Sequence, residues 1–124
     1  MFQDTIARVR KADVFEKPIV ITNVSFRFLV ADQLDAIGVP ADIVLEPVRR
    51  DSAPAVAVAS LLGLQRDRNC LLLVLAADHV INDIDGFHES CVRSRDAAER
   101  GSIVTFGVVP TEPSPAYGYL CPGV

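Results

Sequence analysis

Cysteine is scarce in this 124-residue sequence, and the cysteines that occur do not form a motif. They are Cys70, Cys91 and Cys121, an odd number with wide spacing and no C-x-x-C pair. A disulfide framework or a finger-type zinc site needs an even set or closely spaced pairs. The sequence therefore predicts reduced thiols with a structural role.

Long apolar runs are also absent. Half of the residues are hydrophobic and the mean hydropathy is +0.30, yet no run approaches the roughly 18 residues that cross a bilayer. Residues 1–13 mix acids and bases and contain no apolar segment of the kind found in secretion signals. We expect no membrane segment and a cytoplasmic location, with the apolar excess buried inside the domain or against a partner.

Positive charge is not concentrated anywhere. The 12 basic residues are scattered among 16 acids, which gives a net charge of −4. Because duplex binding needs a cationic patch, nucleic acid is not an expected partner. The G-x-G-x-x-G and G-x-x-x-x-G-K-[ST] loops are missing, so any nucleotide would be bound without those cradles. The absence of G-x-S-x-G argues against a serine hydrolase.

Strand-like and helix-like segments alternate along the chain, which is typical of βαβ units and a mostly parallel sheet. The predicted fold class is α/β, as one domain with one core. Strands are predicted at residues 18–22, 41–46, 70–77 and 102–110. Helices are predicted at residues 3–12, 26–38 and 86–101, and an Ala-rich helix is predicted to begin near Asp51.

Several details of these elements are predicted as well. The run CLLLVLAA (70–77) is continuously apolar, as in a central strand covered on both faces. The Ala-rich helix is apolar on nearly every side and is expected to lie between two layers. Gly38 and Gly101 are expected to end their helices. Asp85 is expected to cap the helix that begins near Gly86.

The segment EPVRRDSAP (46–54) leads from a strand into the Ala-rich helix, at the sheet edge where open parallel sheets bind ligands. Ser52, Ala53 and Ala55 would present free N–H groups at the positive end of the helix dipole, and Arg50 could add a bidentate phosphate contact. From the pattern alone an ordinary N-cap beside solvated arginines is favoured, because caps of this type open most helices, and an anion site is the alternative.

The segment AADHVINDID (76–85) reaches the same edge. Asp78 directly follows a strand, and a lone carboxylate there is a chemically sensible Mg²⁺ ligand, although it could also cap the next turn. His79 and His88 have no partners at metal-finger spacing, so a zinc role is not expected. Gly118, between two tyrosines, would either let a ligand approach the backbone or bend an edge strand.

Five motifs occur in order along almost the whole chain: RFLVADQL (27–34), LEPVRRDSAPAVAVA (45–59), LAADHVI (75–81), VTFGVVPTEP (104–113) and YGY (117–119). Together they closely resemble the bacterial mannose-1-phosphate guanylyltransferases, many of which are bifunctional with mannose-6-phosphate isomerase. The family pattern runs roughly RFLVAEQL, LEPxGRNTAPAIALA, LPADHVI and VTFGIxPTxPETGYGYI.

The resemblance implies a three-layer Rossmann-like nucleotidyltransferase fold that converts GTP and mannose 1-phosphate into GDP-mannose and diphosphate, with Mg²⁺ as cofactor. Asp78 matches the metal-binding aspartate of the family, and Gly118 matches the glycine that approaches the sugar. No residue is assigned to acid or base catalysis. The residues that match the segment along the nucleotide, with the helix start, are Glu46, Pro47, Arg50, Ser52, Ala53 and Pro54.

Some positions depart from the family pattern. Arg49 stands where the family has glycine, which would cost about 1–2 kcal/mol if that position needs a positive φ. Asp51 replaces asparagine and brings a negative charge toward a polyphosphate, which would weaken binding if it faces the cleft.

The sequence contains neither the GGSGSRLWP-like loop and PKQF-like motif that hold the triphosphate in the family nor its EKP motif. The resemblance therefore implies that residues 1–124 are part of a nucleotidyltransferase domain, a truncated or split copy with an incomplete sheet. We expect negligible activity of the isolated polypeptide. The alternative is a non-catalytic remnant or interaction module that pairs with a complementary or full-length chain through an exposed apolar edge strand. A generic small-ligand binder is the third reading.

Overall fold

A computed structural model describes residues 1–11 and 13–121 of the chain. Helices and strands alternate up to residue 46, and two further helices follow. The elements are α1 (Phe2–Arg8), β1 (Ile19–Asn23), a 3-10 turn (Val24–Phe26), α2 (Arg27–Ala36), β2 (Asp42–Glu46), α3 (Ser52–Arg66) and α4 (Ile84–Glu99).

Strands β1 and β2 form a parallel pair, with Ile19 opposite Asp42 at one end and Asn23 opposite Glu46 at the other. Helix α2 makes the crossover between them, as the alternating pattern predicts, because parallel neighbours need a connection that returns the chain to the starting edge. The α/β class with a parallel sheet is confirmed. Pro18 precedes β1, where its missing N–H costs no ladder bond.

Helices α2 and α4 both end at the predicted glycine. Gly38 has φ +62° and Gly101 has φ +88°. The N–H of Val39 donates to the Leu34 carbonyl at 3.2 Å, and the N–H of Ser102 donates to the Ala97 carbonyl at 3.1 Å. These are Schellman ends, in which a glycine adopts the left-handed conformation without a Cβ penalty.

The buried apolar core is small and lies in the first half of the chain. It consists of Ile6 from α1, Val20 from β1, and Val30 and Leu34 from α2. On α2 the buried residues form a Val30 to Leu34 stripe, whereas Phe28 is 69% exposed. The i, i+4 spacing of that stripe places both side chains on one side of the helix.

The predicted strands at 70–77 and 102–110 are wrong, since neither run is a strand in the structure. Within the described residues, β1 and β2 pair only with each other, and no hydrogen bond joins residues 71–76 or 103–110 to another segment. A strand is defined by ladder bonds to a neighbour, and these runs have apolar side chains but no neighbour. Ile103 is accordingly 97% exposed.

Helix α3 is not enclosed between two layers. Its only buried residue is Gly63, while Leu61 is 63% exposed and Leu64 is also exposed. The expectation of a fully covered helix is therefore wrong, because one of the layers that would cover it is not formed by the described residues.

An ion-pair cluster anchors the C-terminal end of α3 at the beginning of both strands. Asp42 opens β2 and accepts hydrogen bonds from Lys17, just before β1, and from Arg66, the last residue of α3, with 2.6 Å between Asp42 Oδ2 and Arg66 Nη2. Those two cations hold the pKa of Asp42 below its ordinary value. With its end fixed there, α3 runs back so that its first turn lies near the carboxyl ends of the strands.

The thiols of Cys70, Cys91 and Cys121 are all free. Cys70 and Cys121 are exposed, so the expected structural role finds no support at those two positions, whereas Cys91 is partly buried. Burial raises the pKa of the Cys91 thiol, which keeps that sulfur protonated. Among the described helices, none is both long and apolar enough to cross a bilayer.

We predict that Asp42→Asn lowers the melting temperature in a pH-dependent manner. Because the folded-state pKa of Asp42 lies below its ordinary value of 3.8, its contribution is present above that pH and is lost as the pH falls through the folded-state pKa. The difference in melting temperature between wild type and variant should be largest near neutral pH and should shrink below pH 3.8. Asp32→Asn on the exposed side of α2 is the control, and a difference that does not change with pH would contradict the prediction.

Candidate functional site

The carboxyl ends of β1 and β2 are joined by one side chain. Asn23, the last residue of β1, donates from Nδ2 to the Glu46 carbonyl at 3.2 Å, and its Oδ1 accepts from the Ser25 N–H at 3.0 Å. The amide of Asn23 thus fixes the end of β2 and starts the turn into α2. The sequence patterns did not single out Asn23, although its position at a strand exit is a detectable signal.

A cleft of about 310 Å³ opens beside this edge. Its walls come from the ends of both strands, the connection after β2 and the first turns of α3. The lining residues are Ile21, Val44, Leu45, Glu46, Pro47, Val48, Arg50, Pro54 and Val58. Four of the six predicted nucleotide-binding residues are therefore gathered in one cleft, whose walls are apolar except for the two charged side chains, Glu46 and Arg50.

Ser52 and Ala53, the other two predicted nucleotide-binding residues, are exposed at the start of α3 and do not line the cleft. Asp51 is the N-cap residue, and no side chain bonds the first-turn N–H groups. The ordinary side-chain cap that competes with the anion-site interpretation is therefore not observed. The N-terminus of this 15-residue helix keeps unbonded N–H groups and a partial positive charge beside the cleft.

Backbone strain lies at Asp51 rather than at Arg49. Asp51 has φ +56° and ψ −161°, and it is the only described non-glycine residue with a positive φ. This region of conformational space is essentially restricted to glycine and costs on the order of 1–3 kcal/mol for other residues. The expected cost of a side chain at Arg49 therefore does not arise, and the position after Arg50 carries the strain instead.

Asp78 follows the unpaired run 70–77 in a turn and is exposed. Its carboxylate takes part in no hydrogen bond or ion pair of the described residues, so the interpretation of Asp78 as a turn cap finds no support. Asp78 does not line the cleft. Nor does any group of three or more His, Cys, Asp or Glu side chains in the described part of the chain form a metal site. The assignment of Asp78 as a metal ligand stays a prediction.

Helix α1 contacts the backbone on both sides of Asp78, and the sequence patterns missed these contacts. Arg8 Nη2 donates to the His79 carbonyl at 3.0 Å, and Thr5 Oγ1 lies 3.5 Å from the Ala77 carbonyl oxygen. A threonine and an arginine three residues apart on a short helix that also carries a core isoleucine would have been the signal.

Neither histidine is placed as a metal ligand. His88 Nε2 lies 2.7 Å from the Arg8 carbonyl oxygen, and its ring packs against Phe15 and Phe87 at centroid distances of 5.6 and 5.7 Å. His88 is therefore a half-buried packing residue. The cap of α4 differs from expectation, because Asp83 rather than Asp85 accepts from the Gly86 N–H, at 2.9 Å.

Gly118 is exposed in the C-terminal segment and does not line the cleft. No atom lies within 4 Å of the position that a Cβ would occupy there. The neighbouring Tyr119 hydroxyl bonds both the N–H and the carbonyl of Ser114, so this segment folds on itself. The proposed approach of a sugar to Gly118 stays a prediction, and the open space around the glycine leaves room for a ligand.

Comparison with known proteins finds a matching family model and several similar proteins. The chain matches the family model for nucleotidyl transferases over residues 1–123. It is 50% identical over 123 residues to the mannose-1-phosphate guanylyltransferase of Sinorhizobium fredii, and the aligned region covers 97% of this chain and 24% of that protein. The resemblance inferred from the five motifs is confirmed.

Two further relatives are similar. The mannose-1-phosphate guanylyltransferase of Escherichia coli is 45% identical over 125 residues, covering 100% of this chain and 26% of that protein. The xanthan biosynthesis protein XanB of Xanthomonas campestris is 47% identical over 108 residues, covering 86% of this chain and 23% of that protein. The chain thus spans about a quarter of the length of these curated relatives. No solved structure gives a significant match.

We predict that Asp51→Gly is more stable than Asp51→Ala by about 1–2 kcal/mol, because only glycine adopts the Asp51 backbone angles without strain. Both variants remove the carboxylate, so their difference in the free energy of unfolding in urea reports the backbone alone. The matched control is the neighbouring Arg50, whose φ is not positive. Arg50→Gly should be less stable than Arg50→Ala by roughly 0.4–1 kcal/mol. If the glycine variant were the more stable one at both positions, the assignment of strain to Asp51 would be contradicted.

Proposed function

Since the chain belongs to the nucleotidyl transferase family, we propose that it forms part of a mannose-1-phosphate guanylyltransferase site. The proposed substrates are GTP and mannose 1-phosphate, and the products are GDP-mannose and diphosphate. The observation that carries the proposal is the cleft at the carboxyl edge of the sheet, where Glu46, Pro47, Arg50 and Pro54 of one motif meet.

The cleft suits a nucleotide because its apolar lining can cover a base and its charged side chains can bond the polar groups of the base and the phosphates. Apolar walls that include Pro47, Val48 and Val58 can cover a flat base, while the Glu46 carboxylate can accept hydrogen bonds from ring N–H groups. Arg50 and the unbonded N–H groups at the start of α3 supply positive potential for phosphate oxygens.

The proposed reaction is a nucleotidyl transfer, in which the GMP part of GTP passes to mannose 1-phosphate. A phosphate oxygen of mannose 1-phosphate attacks the α-phosphorus of GTP. The bond from that phosphorus to the oxygen that bridges it to the β-phosphorus breaks, and diphosphate leaves. Such chemistry depends mainly on positioning and on charge stabilisation around the transferred group. In this chain Arg50 and the start of α3 would orient the nucleotide and stabilise its phosphate charge.

Mg²⁺ fits Asp78 as a single protein ligand. This cation is normally held by one or two carboxylates, with substrate phosphates and water completing its coordination. An exposed carboxylate that makes no hydrogen bond or ion pair within residues 1–11 and 13–121 has the hard oxygen donors that Mg²⁺ requires. The bound ion would shield the negative charge of the polyphosphate.

A second candidate function is pairing with a full-length homologue as a non-catalytic module. The observation that favours it is the pair of apolar runs, 70–77 and 102–110, which have no ladder partner among the described residues. Unpaired N–H and C=O groups along an apolar run are a template for strand addition by another polypeptide.

We predict that Arg50→Ala weakens GTP binding by about tenfold or more, because a charge-assisted contact to phosphate contributes roughly 1.5–3 kcal/mol. Calorimetric titration of GTP and Mg²⁺ into the chain, mixed with a polypeptide that carries a GGSGSRLWP-like loop, measures the effect. Arg49→Ala is the matched control, since Arg49 is the adjacent arginine and does not line the cleft. Equal losses in both variants would argue against a specific role of Arg50.

We predict negligible GDP-mannose formation by the purified chain and measurable formation after that polypeptide is added. The chain contains no glycine-rich loop, so most donors for the triphosphate have to come from the added polypeptide. Chromatographic detection of GDP-mannose is the measurement. Turnover by the chain alone would refute the expected inactivity. Stable co-purification with a full-length homologue, with no turnover in the mixture, would favour the second candidate function.

A further inference from the structure

Two polar side chains of α1 are buried to an unusual degree. Thr5 and Arg8 are each only 4% exposed, and they are the only buried polar or charged residues among those that the structure describes. They lie three residues apart and therefore on one side of the helix. Burial of a guanidinium is costly unless the group is well bonded, so the partners of Arg8 identify what the burial achieves.

Those partners lie in the turn that carries Asp78. Arg8 Nη2 donates to the His79 carbonyl at 3.0 Å. Thr5 Oγ1 lies 3.5 Å from the Ala77 carbonyl oxygen and 3.2 Å from the Met1 carbonyl oxygen. Because Thr5 has a single hydroxyl proton, which favours the nearer Met1 oxygen, Arg8 makes the stronger contact to the Asp78 turn. Within the described residues, the Arg8 and Thr5 contacts are the only polar contacts from another segment to the backbone of residues 71–82.

Arg8 also contacts α4. Its guanidinium carbon lies 5.6 Å from the centre of the Phe87 ring, a cation–π distance. The carbonyl of Arg8 lies 2.7 Å from His88 Nε2, and the His88 ring packs on Phe15 and Phe87. One residue thereby connects α1, the Asp78 turn and α4.

We infer that Arg8 is a positioning residue for the metal-binding carboxylate of Asp78, an inference that rests on the proposed function. Asp78 is exposed, and the run before it has no ladder bonds that could fix the turn. The Arg8 contact restrains the peptide group between His79 and Val80, one residue beyond Asp78. Through it the contact restricts the direction in which the Asp78 side chain projects. A carboxylate has to be held within roughly 0.5 Å of its productive position to serve as a preorganised ligand.

The first test measures the order of the turn by NMR relaxation of the full 124-residue chain. In the wild type the Asp78 amide should have an order parameter close to the rigid value of about 0.85, and Arg8→Met should lower it below about 0.6. Arg8→Lys keeps the charge and one donor and should restore most of the order. Arg10→Met, an exposed arginine two residues further on, is the control. An unchanged Asp78 order parameter in folded Arg8→Met, or in Arg8→Gln should Arg8→Met not fold, would overturn the inference.

The second test uses Mn²⁺ with GTP as a paramagnetic probe of the same chain, mixed with the polypeptide that carries a GGSGSRLWP-like loop, because substrate phosphates complete the coordination of the ion. Wild-type protein should show selective broadening of the Asp78 amide signal and its neighbours, and Asp78→Asn should abolish it. Arg8→Met should raise the Mn²⁺ concentration needed for half-maximal broadening by roughly tenfold, as is typical when the partner of a metal ligand is removed. Arg10→Met should change it by less than about twofold, since it removes no contact to the turn.

The outcomes separate the inference from the function on which it rests. Broadening that Asp78→Asn removes but Arg8→Met leaves unchanged would overturn the positioning role alone. The absence of broadening at Asp78 in the wild type would refute the metal-binding role in the proposed function, and the inference with it.

Discussion

Parallel strands have to be bonded along their edges and covered on their faces, and this requirement governs the whole structure. It is met for β1 and β2, which pair in register through the α2 crossover and bury Val20 against α1 and α2. It is not met by the described residues for the runs 70–77 and 102–110. The same chain therefore contains an ordered βαβ unit and a large exposed apolar surface, although half of its residues are hydrophobic.

The cleft depends on how the βαβ unit is fixed at its two ends. At the amino edge, Asp42 holds the strand starts and the last turn of α3 together through Lys17 and Arg66. At the carboxyl edge, Asn23 joins the two strand ends. Because α3 is anchored at one end, its first turn has a defined place beside the cleft, and the strained angles of Asp51 make the change of direction that this place requires.

Local features of the fold were predictable from sequence, whereas features that depend on distant partners were not. The βαβ unit, the glycines that end α2 and α4, and the start of α3 follow from turn chemistry and hydrophobic spacing. The run 70–77 has the composition of a central strand, yet composition does not supply the neighbour that makes a strand. Which side of α2 is buried likewise depends on distant partners, since the packing of α1 and β1 selects the side that is covered.

The candidate site also contains one part that local sequence determines and one part that depends on distant residues. Glu46, Pro47, Arg50 and Pro54 are close in sequence, so a strand exit and a helix start suffice to bring them into one cleft. Asp78 has no such local support. Its turn is restrained by Arg8, 71 residues away from the His79 carbonyl that it bonds, and Arg8 is placed by the packing of Ile6 in the small core. The position of the Asp78 carboxylate relative to the cleft therefore depends on how α1 packs on the βαβ unit, and no local pattern around Asp78 contains that information.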